Sequence, residues 1–235
     1  MKLKSHLTLL GVISLVSPAA HAAVFAGTFD FSGTTANVAS FSYNGTAINN
    51  LTVGNLAKVG VTTSSSSGNS RASGWSTGAT TGSDTFLGTV DLGKYFEFTL
   101  SVDSGFTLDM SSISFGLGRS ATGPRQWQWR SNVDSYAATI GSYTSTNSSL
   151  TNSGGVLTNP DTNSSWTGNI LDLSGSSFQD LSSITFRLYG FNSEATTGTG
   201  GLQGNLTFSG DVVPEPSGAA ILGSIGILGL LRRRR

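Results

Sequence analysis

The chain has 235 residues, enough for one or two domains, and a single β-sandwich can use most of that length. Only 11% of residues are charged and cysteine is absent, so no disulfide framework can staple the fold, and its stability must come from an ordinary packed core. The formal net charge of zero hides an asymmetry: without Lys2, Lys4 and the terminal arginines, seven basic residues face twelve acidic ones up to Asp211, and so acidic a body excludes nucleic acid as a partner.

At the N-terminus, Lys2 and Lys4 precede the apolar run Leu7 to Val16, then Pro18 and the small-residue triplet Ala20-His21-Ala22. This order predicts an export signal over 1–22, cleaved between Ala22 and Ala23. A first candidate strand follows at Phe25, Phe29 and Phe31. The stretch Thr62 to Ser83 is rich in Gly, Ser, Asn and Thr and reads as loop. In "KYFEFTLSV", Phe96, Phe98, Leu100 and Val102 alternate with Tyr95, Glu97, Thr99 and Ser101, the period of a half-buried strand. Ile113, Phe115 and Leu117 repeat the pattern.

The segment "GPRQWQWRSNVD" sets Trp127 and Trp129 on one strand face, with Gln126, Gln128 and Arg130 on the other. Two readings are open: both indoles fill the core, or they form a flat carbohydrate platform to which Trp75 and Trp166 add. Beyond another loop-like tract, Thr144 to Ser165, a helical turn is expected around Phe178 to Leu181. Alternation returns at Ile184, Phe186 and Leu188, then lapses through Ser193 to Gly204 and resumes at Leu206 and Phe208. The expected fold is all-β over 23–211: an antiparallel β-sandwich, jelly-roll-like, whose long loops hold some further short strands.

The C-terminal stretch 212–235 departs from this pattern. Val213-Pro214-Glu215-Pro216 leads into Gly218 to Leu231, fourteen residues without charge, and then Arg232, Arg233, Arg234 and Arg235. As a helix the apolar run spans about 21 Å at ~1.5 Å per residue. That is short of the ~30 Å hydrocarbon core, but snorkelling arginine stems make up part of the length. Behind an exported body the arginines stay on the cytoplasmic side, so the run is expected to act as a stop-transfer anchor. The two prolines fix an extended entry with Glu215 exposed between them.

These three parts in this order resemble the PEP-CTERM protein-sorting domain of Gram-negative bacteria. The resemblance covers Val212 to Arg235 and implies recognition by an exosortase, cleavage near Pro214 to Pro216, and delivery from the membrane to the cell surface or an extracellular polysaccharide matrix. It gives an address rather than an activity. "GPRQWQWRSNVD", "FRLYGFNS" and "GNLTFSG" are more loosely similar to the ectodomains that precede such tails, although Gly204-Asn205 stands where those ectodomains often carry an Asp-Asn pair.

Both histidines, His6 and His21, precede Ala23, so the mature chain has neither His nor Cys and lacks the parts of Ser-His-Asp triads, thiol nucleophiles and His-ligated zinc. Carboxylates such as Glu97, Asp103, Asp109, Asp134 and Glu194 are present, but no spacing selects a pair for glycoside hydrolysis. No D-x-D-x-D-G run marks a calcium loop. The chain is therefore expected to be a non-enzymatic exported protein without cofactor or bound metal, structural or adhesive in the envelope or exopolysaccharide matrix. A carbohydrate-binding module is the alternative, and a glycoside hydrolase-like enzyme comes third.

Overall fold

A computed structural model describes residues 21–32, 37–64 and 68–215. Residues 1–20 of the expected signal segment, Pro216 and the apolar run with its arginines lie outside the described residues. Ala22–Glu215 forms one compact unit. Its strands are β1 Ala23–Phe29, β2 Ser40–Phe41, β3 Leu51–Val53, β4 Leu56–Val59, β5 Thr62–Thr63, β6 Asn69–Ser73, β7 Tyr95–Val102 and β8 Phe106–Arg119. They continue as β9 Pro124–Ser131, β10 Tyr143–Ser145, β11 Thr151–Ser153, β12 Val156–Thr158, β13 Ser165–Asp172, β14 Ser183–Ser193, β15 Gly200–Gln203 and β16 Leu206–Pro214. Two 3-10 turns, Asn132–Asp134 and Ser176–Phe178, are the helical elements among the described residues.

The strands form two antiparallel sheets. One runs β1-β16-β8-β15-β6-β5, with β13 on the other side of β8 and β10 beyond it; the second runs β11-β12-β9-β14-β7-β4-β2, with β3 also on β7. Consecutive long strands sit in opposite sheets: β7 crosses to β8 through Asp103–Gly105, and β8 crosses back to β9 through Ser120–Gly123. Gly105 turns the first of these arches with φ +86°, a conformation that side-chain-bearing residues rarely adopt.

The sheets meet through aromatic rings. Phe98 of β7 lies 5.7 Å from Phe29 and 5.6 Å from Phe208 across the sandwich, and Phe115 meets Trp129 edge-on at 5.4 Å. These separations suit the tilted and edge-to-face arrangements that ring quadrupoles favour. Glycines make room for the rings on the ladders. Gly27 pairs with Phe208, and a Cβ there would sit 2.3 Å from the Phe208 ring. Of the residues predicted to face inward, Phe96, Phe98, Leu100, Ile113, Phe115, Leu117, Ile184, Phe186, Leu188, Leu206 and Phe208 are buried, while Val102 at the end of β7 is half-buried against the core.

Three tracts read as loop hold further short strands, as their length led us to expect. Thr62 to Ser83 contains β5 and β6, Thr144 to Ser165 contains β11 and β12 with the end of β10, and Ser193 to Gly204 contains β15. The Asn-Ser-Arg-Ala-Ser of β6 has little strand propensity, but its backbone groups are taken up by β15, which in turn pairs with β8. The domain edge also moves. Strand β16 runs through Asp211 to Pro214, where Val213 pairs with Thr107 and Pro214 with Phe106, so the boundary drawn between Asp211 and Val212 falls inside a ladder.

Candidate functional site

Trp127 and Trp129 project from β9 into the space between the sheets and are 0% and 1% exposed. Trp127 packs edge-on to Trp75 at 5.2 Å, and across the ladder it faces Gly190, where a Cβ would lie 2.6 Å from the indole. Trp75 and Trp166 are buried as well. A sugar ring needs an open indole face, and neither Trp127 nor Trp129 offers one. Of the two readings of this segment, the core reading fits the geometry and the platform is corrected: the inward alternation of β9 places both rings against Phe115, Phe98 and Trp75.

The same alternation carries two charges inward. Arg119 continues the inward series of Ile113, Phe115 and Leu117, Arg125 precedes that of Trp127 and Trp129, and both arginines are fully buried. They sit at either end of the β8–β9 arch and close one end of the core. The Arg119 fork is fully used: Nε donates to Gly123 O at 3.2 Å, Nη1 to Pro160 O and Asp161 Oδ1 at 3.2 Å, and Nη2 to Ala121 O at 2.5 Å and Glu194 Oε1 at 2.6 Å. Arg125 donates from Nε to Asn159 O at 2.9 Å, from Nη1 to Ser83 O at 2.9 Å and from Nη2 to the exposed carboxylate of Asp84. Its guanidinium stacks on Phe86 at 5.2 Å from the ring centroid. Such charge-assisted, multiply bonded guanidiniums can be buried because carboxylates and carbonyls replace their water.

Partial burial works to raise the Asp161 carboxyl, but the Gly82 N–H at 2.6 Å and the two guanidiniums outweigh it and hold it below the usual carboxylate range. Asp84 and Phe86 reach the site because the 77–88 loop is pinned to β14. Asn192 adopts φ 54°, tolerated by asparagine, and its amide accepts from Gly88 N at 2.8 Å and donates to Gly88 O at 3.3 Å. Beside this cluster, a cleft of about 290 Å³ is lined by Asp84, Phe86, Arg125, Thr158, Asn159 and neighbouring residues. A second hollow shares Asp84 and Pro160 with it and adds Asp161. Asn159 is fully buried, and neither its amide nitrogen nor its amide oxygen has a partner; the second carboxylate oxygen of Glu194 is also without one.

The carboxylates singled out in the sequence are dispersed, and those of Glu97, Asp109, Asp134 and Glu194 are engaged. Glu97 pairs with Arg187 at 2.6 Å on the outer face of β7 and β14. Asp109 accepts from Asp180 N, and Asp134 from Ala137 N and Ala138 N. The backbone carbonyl of Asp103 closes the β7–β8 turn, accepting from Phe106 N. Glu194 alone joins the ionic cluster, where its partners Arg119, Arg125 and Asp161 were not anticipated. The signal that finds the arginines is their phase: each falls on the inward parity of a strand whose other inward residues are large and apolar.

Of the predicted sorting residues, Val213 and Pro214 close β16, and Glu215 is exposed with its N–H donated to Gly105 O at 2.9 Å. Ala22 precedes β1, and Ala23 is its first residue. Pro216 and Arg232 to Arg235 lie outside the described residues. Among the described residues no group of three or more His, Asp or Glu side chains is placed to hold a metal ion, and no helix is long and apolar enough to cross a membrane. No protein-family model, curated protein or solved structure matches the chain.

Proposed function

We propose that the chain is an exported β-sandwich of jelly-roll type that a PEP-CTERM tail sorts to the surface of a Gram-negative cell, where it has a structural or adhesive role in the envelope or exopolysaccharide matrix. One observation supports most of this reading: among the described residues the first strand starts at Ala23, the residue after the proposed signal-peptidase site, and the last ends at Pro214, inside Val213-Pro214-Glu215-Pro216. An exosortase would cut at the edge of the sandwich, with no linker between the fold and the motif, and the apolar run with Arg232 to Arg235 would hold the precursor in the membrane until then.

A non-enzymatic role is supported by what the mature chain has to work with. From Ala22 onward there is no histidine or cysteine, and of the carboxylates weighed for hydrolysis Glu97, Asp109, Asp134 and Glu194 are tied to backbone amides or guanidiniums. Fractionation of the native host tests the reading. The full chain should be found with the surface or matrix fraction, and a chain lacking 217–235 should appear in the medium, still folded. Equal distribution of both forms would remove the sorting role from the tail.

A further inference from the structure

We propose that the fold latches its own sorting motif: the ladder between β16 and β8 holds Val213 to Glu215 closed, and the tail is cut only after this end of β16 frays. The inference rests on the sorting reading above and adds to it how processing of the motif is controlled. It starts from Glu215. Proline has no backbone N–H, so the donors that Val213-Pro214-Glu215-Pro216 can offer an enzyme are the amides of Val213 and Glu215. The Glu215 N–H is already donated within the domain, to Gly105 O at 2.9 Å. Just before it, Val213 pairs with Thr107 and Pro214 with Phe106. Proteins that read a peptide as an extended strand bond to its backbone, and here β8 and the β7–β8 arch hold that backbone first. Fold and enzyme compete for the same groups.

The latch lies where the strand opens most easily. Val212 is 2% exposed and pairs with the fully buried Leu108, so the grip of the core on β16 ends at that residue. Beyond it, Val213 and Pro214 are half-buried and Glu215 is exposed. Releasing these three breaks a few bonds at a strand end and leaves Val212 and Leu108 packed; such local opening needs far less free energy than unfolding the domain. Pro214 donates nothing to the ladder, which weakens this end further. Folding therefore comes before cutting and sets its rate.

Because the chain has no cysteine, the double substitution Thr107→Cys with Val213→Cys, at directly paired positions, can lock the latch through a disulfide with no competing thiol. Two measurements test the proposal, hydrogen exchange on the purified unprocessed chain and processing in membranes of the native host. The Glu215 amide of the wild type should exchange at least about tenfold more slowly than in an unstructured peptide, and more slowly still in the cross-linked form. In the membranes the cross-linked chain should be cut at least about tenfold more slowly than the same chain after reduction and than Val213→Cys alone. Thr107→Gly should be cut about threefold faster than the wild type, the scale of one lost cross-strand pair. If the cysteines do not cross-link, or Val213→Cys by itself stops cutting, Thr107→Gly decides. Exchange at Glu215 as fast as in an unstructured peptide, cutting of the locked chain at the rate of the reduced one, or no gain for Thr107→Gly would overturn the latch. If no form is cut, wild type included, the sorting reading falls and the latch with it, whereas failure of the latch alone leaves the wild type cut.

Discussion

Trp127 shows how a single side chain is specified from two directions. Its inward parity was legible in the alternation of β9, but its environment was not, because Gly190 and Trp75 come from distant parts of the chain and only the ladder and the sheet packing bring them together. Truncation to Ala at Trp127 or Trp129 should cost about 3 to 5 kcal/mol, whereas Phe should cost far less, since neither indole N–H has a partner to lose. Denaturant titration of the four variants checks this, and equal losses for Ala and Phe would show that the indoles contribute by something other than volume. Lys58 offers a second test at this scale. Burial pulls its ammonium down from 10.5 to about 8, so between those values the unfolded chain binds more protons and stability rises with pH. Burial pushes the Tyr143 phenol up, so above its ordinary 10.0 the unfolded chain ionises first and stability falls. The melting temperature should therefore climb from about pH 8 to about pH 10 and then decline, and Lys58→Met should flatten the climb.

Among the elements, β7, the Ser183 to Leu188 half of β14 and the core of β8 were readable because each buries one face and leaves the other partly open to solvent, which forces the period of two into the sequence. β5, β6 and β15 were not, because they are short, polar or glycine-rich and owe their conformation to the neighbours that take their hydrogen bonds. The arginines of the β8–β9 arch fall between these cases: their inward parity was written in the sequence, while Asp84, Asp161 and Asn159, which complete the site, arrive on loops with no periodicity. β16 differs again. It lies between β1 and β8 and pairs with both, so its last residues belong to the ladder rather than to the tail. Deleting 217–235 should leave the β-type circular dichroism and the melting temperature unchanged. Deleting 212–235 should lower the melting temperature clearly, because it strips Val212, Val213 and Pro214 from β8 and takes the buried Val212 side chain from the core. Thermal melts of the two truncations decide; a matching loss in both would make the apolar run part of the folded unit.

For the molecule as a whole, the all-β class followed from composition and alternation, whereas the wiring did not, since arches that send β7, β8 and β9 alternately to opposite sheets leave no local mark beyond turn residues such as Gly105. The account places the folded unit between two processing points, one before Ala23 and one at Val213 to Pro216. Its central claim is that this unit is what the cell delivers to its surface. The most direct test is the intact mass of the protein recovered from the surface or matrix fraction of the native host, with both termini assigned by fragmentation. The account predicts a chain that starts at Ala23 and ends within Pro214 to Pro216. A surface protein that retains Met1 to Ala22, or that carries Arg232 to Arg235 uncut, would contradict it.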